Sequence, residues 1–328
     1  MNAPQTADPA CLVSVLIPTF RRPDLLARAL RGCVAQRGVD LAHVDLVVVD
    51  NDPDGSAAVH LDAFRADHPA LDTTGPRLVT VHEPRPGISH ARNAALARAR
   101  AARVVFLDDD QCPTPGWLAA LLATATATGA AAVFGPVTPD LACADDHPLR
   151  PFLTRYFGRD VARPTGADIT DLVAHMGTQN SLFDRAVLDL PNAPEPFDPD
   201  LGRVGGEDSV LLRRLVAAGG RLAWSADARV SEYVPARRCT LDYLRRRRFR
   251  DGQIRVFAGL RVPGRRLWAV PAWMAAGLAQ AGLHGGLWLA GASLGRPDRA
   301  RHVAQMWGGL GKVLWMPGFR FPLYGGDG

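Results

Sequence analysis

Five short apolar runs mark the first half of the chain: VSVLI (13–17), LVVVD (46–50), LVTVH (78–82), RVVFL (103–107) and AAVFG (131–135). They are rich in branched residues and too short for helices, the pattern of strands covered on both faces. Between them, apolar positions recur at helical spacing. Leu25, Leu26, Ala29, Leu30, Cys33 and Val34 form one stripe, with Pro23 at the first helical position and Gly38 beyond the end. SHARNAALARARA (89–101) reads as a second helix with Ser89 as its N-cap, and PGWLAALLATATA (115–127) as a third. QNSLF (179–183) and RLAWS (221–225) suit further strands. GGEDSVLLRRLVAAGG (205–220) suits a helix opened by two acids and closed by Gly219 and Gly220. This alternation predicts an α/β fold, a mostly parallel sheet flanked by helices.

The last hundred residues differ. DYLRRRRFRDG (242–252) is strongly basic, and residues 267–295 follow without a formal charge, flanked by Arg265, Arg266 and Arg296. That stretch is long enough to span a bilayer, but Pro271, Gln280, His284 and several glycines lower its hydropathy. Its tryptophans (Trp268, Trp273, Trp288) and basic flanks favour one or two helices lying on a membrane surface, with a hairpin packed on the protein as the alternative. MWGGLGKVLWMPGFRFPLY (306–324) continues in the same character. The arginines 245–248 suit either an anionic headgroup or a solvated helix face.

Composition narrows the class only slightly. The 328 residues are 47% hydrophobic and 22% charged, ordinary for a globular protein with a real core. The net charge of +5 fits an anionic substrate, a membrane surface or nucleic acid without choosing among them. Five scattered cysteines show no CxxC spacing, which argues against a zinc site and for a reducing compartment. The N-terminus lacks the pattern of a secretory leader, so a cytoplasmic start is expected.

Two of the apolar runs end in acid: Asp50 to Asp52, and Asp108 to Asp110. In open α/β sheets ligands bind beyond the carboxyl ends of the strands, so both clusters belong to one ligand-facing rim. Adjacent carboxylates repel one another, and a hard divalent cation that also bridges phosphate oxygens relieves that repulsion. A solvated acidic turn is the plain alternative for the DDD tripeptide. Glu207 and Asp208 open a helix after two glycines, where a carboxylate can either cap the helix or act as general base on an acceptor hydroxyl. His82, His90 and His175 show no ligand spacing and read as structural. No Gly-rich phosphate loop follows the first strand and no GxGxxG follows any strand, which argues against nucleotidyltransferases and dinucleotide-dependent oxidoreductases. Nucleic-acid binding would explain the charge but not the acidic rim.

Taken in order, SVLIPTFRRPDLL, VVVDND, EPRPGISHARNAAL, FLDDDQCPTPGWL, GTQNSLF and GGEDSVLLRRL resemble the family 2 glycosyltransferases with a GT-A fold, most of all bacterial transferases of the succinoglycan and exopolysaccharide kind. The resemblance covers residues 13–252. It implies a flexible N-terminus at 1–12, a GT-A catalytic domain at 13–252 and a helical, membrane-associating region at 253–328. It also implies metal-dependent, inverting transfer of a sugar, glucose in the most similar members, from a UDP-linked donor to a glycan or lipid-linked acceptor. Pro18, Thr19, Arg21, Asp50, Asn51, Arg92 and Asn93 would line the nucleotide site, with Asp108 and Asp109 beside the donor. Asp110, with Asp108, would hold Mn²⁺ or Mg²⁺. Asp208 would be the base and Glu207 would orient the acceptor. Many relatives place a histidine where this chain has Glu232, an oxygen donor that could complete the metal shell. The processive members carry QxxRW; this sequence has none, which implies one addition per encounter. The expected location is the cytoplasmic face of the cell membrane, without a nucleic-acid partner. A non-catalytic sugar-nucleotide or glycan-binding protein on the same fold is the alternative.

Overall fold

The computed structural model describes residues 8–190, 195–262, 267–293 and 299–320. Residues 1–7 of the flexible start expected at 1–12, the flanking Arg265, Arg266 and Arg296, and the chain from 321 onward lie outside the described residues. The described chain divides into two compact units, one running up to Thr138 and resuming over Arg159–Glu232, the other made of Pro139–Gly158 and the described residues from Tyr233 onward.

In chain order the elements are β1 (Val13–Thr19), α1 (Pro23–Val34), β2 (Val44–Asp50), α2 (Ala58–Asp67), β3 (Arg77–His82), α3 (Ile88–Arg98), β4 (Arg103–Phe106), β5 (Gln111–Pro113), α4 (Trp117–Thr128), β6 (Ala132–Phe134), β7 (Val137–Leu141), α5 (Arg150–Phe157), β8 (Ser181–Asp184), α6 (Glu207–Ala217), β9 (Leu222–Trp224), β10 (Val230–Val234), α7 (Leu241–Leu260), α8 (Ala269–Ser293) and α9 (Arg299–Val313). Every apolar run read as a strand is one, with ends shifted by a residue or two.

The first unit is built on a seven-stranded sheet of order β3-β2-β1-β4-β8-β6-β9. β1, β2, β3 and β4 run parallel, β8 runs antiparallel between β4 and β6, and β9 pairs parallel with β6. Alternation along each strand loads both faces. Val13, Val15 and Ile17 join Leu46, Val48 and Val105 under Leu26, Leu30, Trp117 and Leu121. Leu16 joins Val47, Val49, Val104 and Phe106 on the other face, under Ala91, Ala95, Leu211 and Leu215. The order reverses at β1, since β2 lies on one side of it and β4 on the other. Such a switch point opens a crevice beyond the carboxyl ends of the two strands on which the chain turns.

Helix α3 departs from expectation at its start. It begins at Ile88 with Gly87 as N-cap at φ 131°, and the Ser89 hydroxyl donates to the Asp198 carbonyl (2.8 Å) instead of capping. The Gly87 N–H is held by Asn51 Oδ1 at 3.0 Å, which fixes the turn one residue earlier and demands a conformation that favours glycine. The same helix stops at Arg98, because Ala99 is already extended.

The second unit has its own small core of Leu141, Leu153, Val234, Cys239 and Leu244, lined by Phe152, Tyr156 and Phe157. The 252/253 boundary suggested by sequence falls inside α7, whose twenty residues run unbroken. The uncharged stretch forms one helix, α8; Pro271 sits in its first turn, where a missing N–H costs nothing.

Candidate active site

All the candidate residues belong to the first unit. β1 delivers Pro18 and Thr19 to the crevice, and β4 delivers the aspartates two residues after its end. Thr19 Oγ1 donates to Asp109 Oδ2 at 2.8 Å across the β1–β4 switch point. Arg22 then does what sequence reading did not assign it. Its Nη1 lies 3.1 Å from Asp109 Oδ1 and 3.2 Å from Asp110 Oδ2, so one guanidinium holds two of the three carboxylates. Arg21, in the left-handed region at φ 52°, turns the opposite way, to Asp52 Oδ1 and Asp54 Oδ2, each at 3.1 Å. The adjacent arginines thus serve the two acidic strand ends separately, one each. The signal was in the sequence: two cations in tandem beside a rim with two clusters of acid.

The three aspartates differ sharply. Asp109 and Asp110 are buried, whereas the Asp108 side chain keeps 31% of its exposure. Burial pushes the Asp109 carboxyl up, against the pull of Arg22 and Thr19. Asp110 is pushed well above the usual carboxylate range, first by burial and then by the charges of Glu232, Asp109 and Asp108. Glu232 comes from β10, opposite Gln111 of β5 in antiparallel register, and Gln111 Nε2 donates to its Oε2 at 3.1 Å. Asp108, Asp109, Asp110 and Glu232 are hard oxygen donors whose charges act on one another, a donor set that fits a divalent cation. Asp108, Asp110 and Glu232 do not stand as a finished three-ligand cage: among the described residues no group of three His, Cys, Asp or Glu could hold a metal by itself. The arginines draw Asp108 and Asp110 in different directions, Arg92 the first and Arg22 the second.

Arg92 is the second junction. Its Nη1 donates to Glu207 Oε1 at 2.8 Å and its Nη2 reaches Asp108 Oδ1 at 3.4 Å, with Phe197 beneath the guanidinium at 5.4 Å. Arg92 and Glu207 are both buried. The α3 arginine therefore ties the acidic rim to the start of α6. Asp208, next along α6, is half-buried. A Cβ built on Gly177 would stand 2.9 Å from Asp208 Oδ2, so the GTQN loop runs hard against the carboxylate. Gly206 caps α6 at φ 97°, which lets the chain turn directly into the Glu207–Asp208 pair.

Three expected nucleotide residues are occupied in shaping loops. Both Asp50 oxygens accept backbone N–H bonds, from Asp52 (3.0 Å) and Ala57 (2.7 Å). Asn51 Nδ2 donates to the carbonyls of Glu83 and Arg85, each at 2.8 Å. Asn93 makes a two-way clamp with Phe197, Nδ2 to its carbonyl at 2.7 Å and Oδ1 from its N–H at 3.1 Å. Of the three histidines, His82 donates through Nε2 to the Asp52 carbonyl (2.9 Å), in keeping with a structural role.

Arg159 carries no sequence signal. It is buried and donates five hydrogen bonds to carbonyls: Gly135 twice (3.0 and 2.9 Å), Gly177 (3.1 Å), Gln179 (2.7 Å) and Asn180 (2.9 Å). Burial pushes its guanidinium down to about 10, while Glu232 and Asp108 pull the other way. It is a fixed cation that pins the GTQN loop from below. Only the fold reveals it, because its partners are main-chain groups.

Residues 14–187 match the sequence profile of Glycosyl transferase family 2. The succinoglycan biosynthesis protein ExoM of Rhizobium meliloti (strain 1021) is 35% identical over 241 residues, covering 74% of this chain and 73% of that protein. ExoO of the same organism, also a succinoglycan biosynthesis protein, is 31% identical over 228 residues, 68% of this chain and 60% of its own. Among solved structures, the mannosyltransferase PcManGT from Pyrobaculum calidifontis, in complex with GDP-Man and Mn²⁺, superposes with a TM-score of 0.58 at 23% identity over 95% of this chain and 90% of that one. TarS 1-349 of S. aureus in complex with UDP gives 0.50 at 15% identity, over 92% and 90%. The likeness to these structures is one of fold, and it is the GT-A fold that the order of motifs implied.

Proposed function

We propose that this chain, which belongs to glycosyl transferase family 2, moves a sugar from a UDP-linked donor to a hydroxyl of a glycan or lipid-linked acceptor in polysaccharide biosynthesis. One observation carries the reading: the buried Arg92 guanidinium joins Asp108 on the acidic rim to Glu207, the neighbour of Asp208. A donor held at the rim therefore meets the pair of carboxylates that handles the acceptor. The two succinoglycan proteins, and the nucleotide complexes of the two structures of like fold, support the same class of substrate.

In this account Pro18, Thr19, Arg21, Asp50 and Asn51 shape the nucleotide side of the crevice, and Asp109 stands beside the donor sugar. Asp110, with Asp108 and Glu232 near it, would hold Mn²⁺ or Mg²⁺. When bound there, the cation neutralises charge on the diphosphate leaving group. Asp208 takes the proton of the acceptor hydroxyl as its oxygen attacks the anomeric carbon from the face opposite the diphosphate, so a single displacement inverts the centre. Glu207, fixed by Arg92, orients the acceptor. One sugar is transferred per encounter.

In this reading the protein lies on the cytoplasmic face of the cell membrane, and the exposed leucines of helix α8 support surface attachment. The helix exposes Leu278 (59%), Leu283 (62%) and Leu289 (61%), and no helix among the described residues is long and apolar enough to cross a membrane.

The test supplies UDP-, GDP- and dTDP-sugars in turn, with Mn²⁺ and a lipid extract of bacterial membranes. Release of UDP from UDP-glucose, with the product linkage inverted by NMR, is the expected result. Turnover of GDP- or dTDP-sugars alone would overturn the choice of base, and retention of configuration would overturn the single displacement.

A further inference from the structure

Two of the three rim aspartates already share a cation. Arg22 Nη1 stands 3.1 Å from Asp109 Oδ1 and 3.2 Å from Asp110 Oδ2, and Thr19 Oγ1 donates to the other oxygen of Asp109 at 2.8 Å. The partners differ in burial. The two carboxylates keep 6% and 9% of their side-chain exposure, the arginine 31%. The acids therefore belong to the wall of the crevice, and the guanidinium reaches them from the solvent side.

The local backbone sets this contact up. Arg21 takes a left-handed φ of 52°, disfavoured for a residue with a Cβ, and its side chain goes to Asp52 and Asp54 while that of Arg22 goes to the other cluster. Helix α1 begins directly afterwards at Pro23, and the Arg22 carbonyl accepts the N–H of Leu26, a buried core residue (3.0 Å). With its main chain tied to the helix, Arg22 has its long, flexible side chain left for movement.

A divalent cation held by Asp110 and a guanidinium on Asp110 Oδ2 repel each other at close range, and between buried groups that repulsion is poorly screened. Arg22 must then weaken the cation's hold or leave the aspartates. Leaving forfeits two charge-assisted hydrogen bonds, so it is favourable where a second anion takes the guanidinium over. A diphosphate is such an anion, because the fork of N–H donors matches phosphate oxygens.

We propose that Arg22 is an internal counter-ion that competes with the divalent cation for Asp109 and Asp110 and passes to the diphosphate of the incoming nucleotide, which makes metal and nucleotide bind cooperatively. The inference deepens the donor reading above and rests on it. Arg22 opposes the metal alone and yields to metal and nucleotide together. By linkage, the factor by which UDP tightens metal binding equals the factor by which metal tightens UDP binding. Arg22 supplies a share of that factor, and a neutral side chain in its place removes the share.

The experiment follows free Mn²⁺ by its EPR signal at pH 8 in titrations of the full chain, with and without UDP, for wild type, Arg22→Met and Arg22→Gln. Calorimetry gives the UDP affinity of each at saturating Mn²⁺. Without UDP, both variants are expected to bind Mn²⁺ about tenfold tighter than wild type, a gain that Asp110→Ala added to Arg22→Met abolishes. At saturating Mn²⁺ both should bind UDP about tenfold more weakly. A merely structural arginine would not produce opposite signs, since a damaged rim loses both ligands. Mn²⁺ affinity unchanged or reduced in both variants, a gain that survives Asp110→Ala, or UDP affinity equal to that of wild type would each overturn the proposal. If wild type binds no UDP at any Mn²⁺ concentration, the donor reading falls and takes this inference with it. If wild type binds both ligands and the variants do not diverge from it in this way, the inference alone falls.

Discussion

Asp208→Asn is expected to lower the rate of sugar transfer by about 10²–10⁴-fold, the usual span for loss of a general base. The substitution keeps the size and one acceptor oxygen of the side chain, so the Ser209 N–H that lies 2.6 Å from Asp208 Oδ1 keeps a partner. α6 and the Gly177 turn against it should therefore persist, and nucleotide binding should stay within about twofold of wild type. The measurement is kcat for UDP release with acceptor present, beside a UDP titration. Transfer at the wild-type rate would show that another group takes the proton.

Arg92→Met is expected to destabilise the protein by about 3–5 kcal/mol, which lowers Tm by on the order of 10 °C for a unit of this size. The cost arises because Glu207, 4% exposed, loses the guanidinium that holds it at 2.8 Å while its charge stays in the interior. Removing one partner of a buried pair is far worse than never having had the pair. Two companions separate this cause from lost packing. Glu207→Gln alone keeps an acceptor for Arg92, and Arg92→Met with Glu207→Gln removes the stranded charge, so the double variant should recover part of the single variant's loss. Thermal unfolding of the three proteins decides the matter. Equal or additive losses would mean that the ion pair is not what stabilises this junction.

What the sequence could disclose depended on whether a residue's role is written in its own neighbourhood. β1 and β2 were legible because unbroken branched runs have few other ways to be satisfied, and their acidic ends followed from the general geometry of open sheets. The start of α3 was misplaced because Ser89 is a good cap in isolation. The structure caps at Gly87, since Asn51, thirty-six residues earlier, holds that N–H. The division of labour between Arg21 and Arg22 depends on a left-handed φ at Arg21, which no propensity signals for arginine. Arg159 was invisible because carbonyls are its partners, and a sequence records no carbonyl positions. The limits of the second unit were equally hidden: Leu153 of α5 shares a core with Leu244 of α7, far along the chain.

The central claim is that Asp108 to Asp110 form a metal and nucleotide-sugar site. It is tested most directly by calorimetric titration of UDP into wild type and Asp110→Ala, with Mn²⁺ and again with EDTA. The account predicts binding to the wild type with Mn²⁺, weakened about tenfold or more by EDTA, and a similar loss in Asp110→Ala even with metal present. UDP binding that is indifferent to both EDTA and the loss of Asp110 would contradict it.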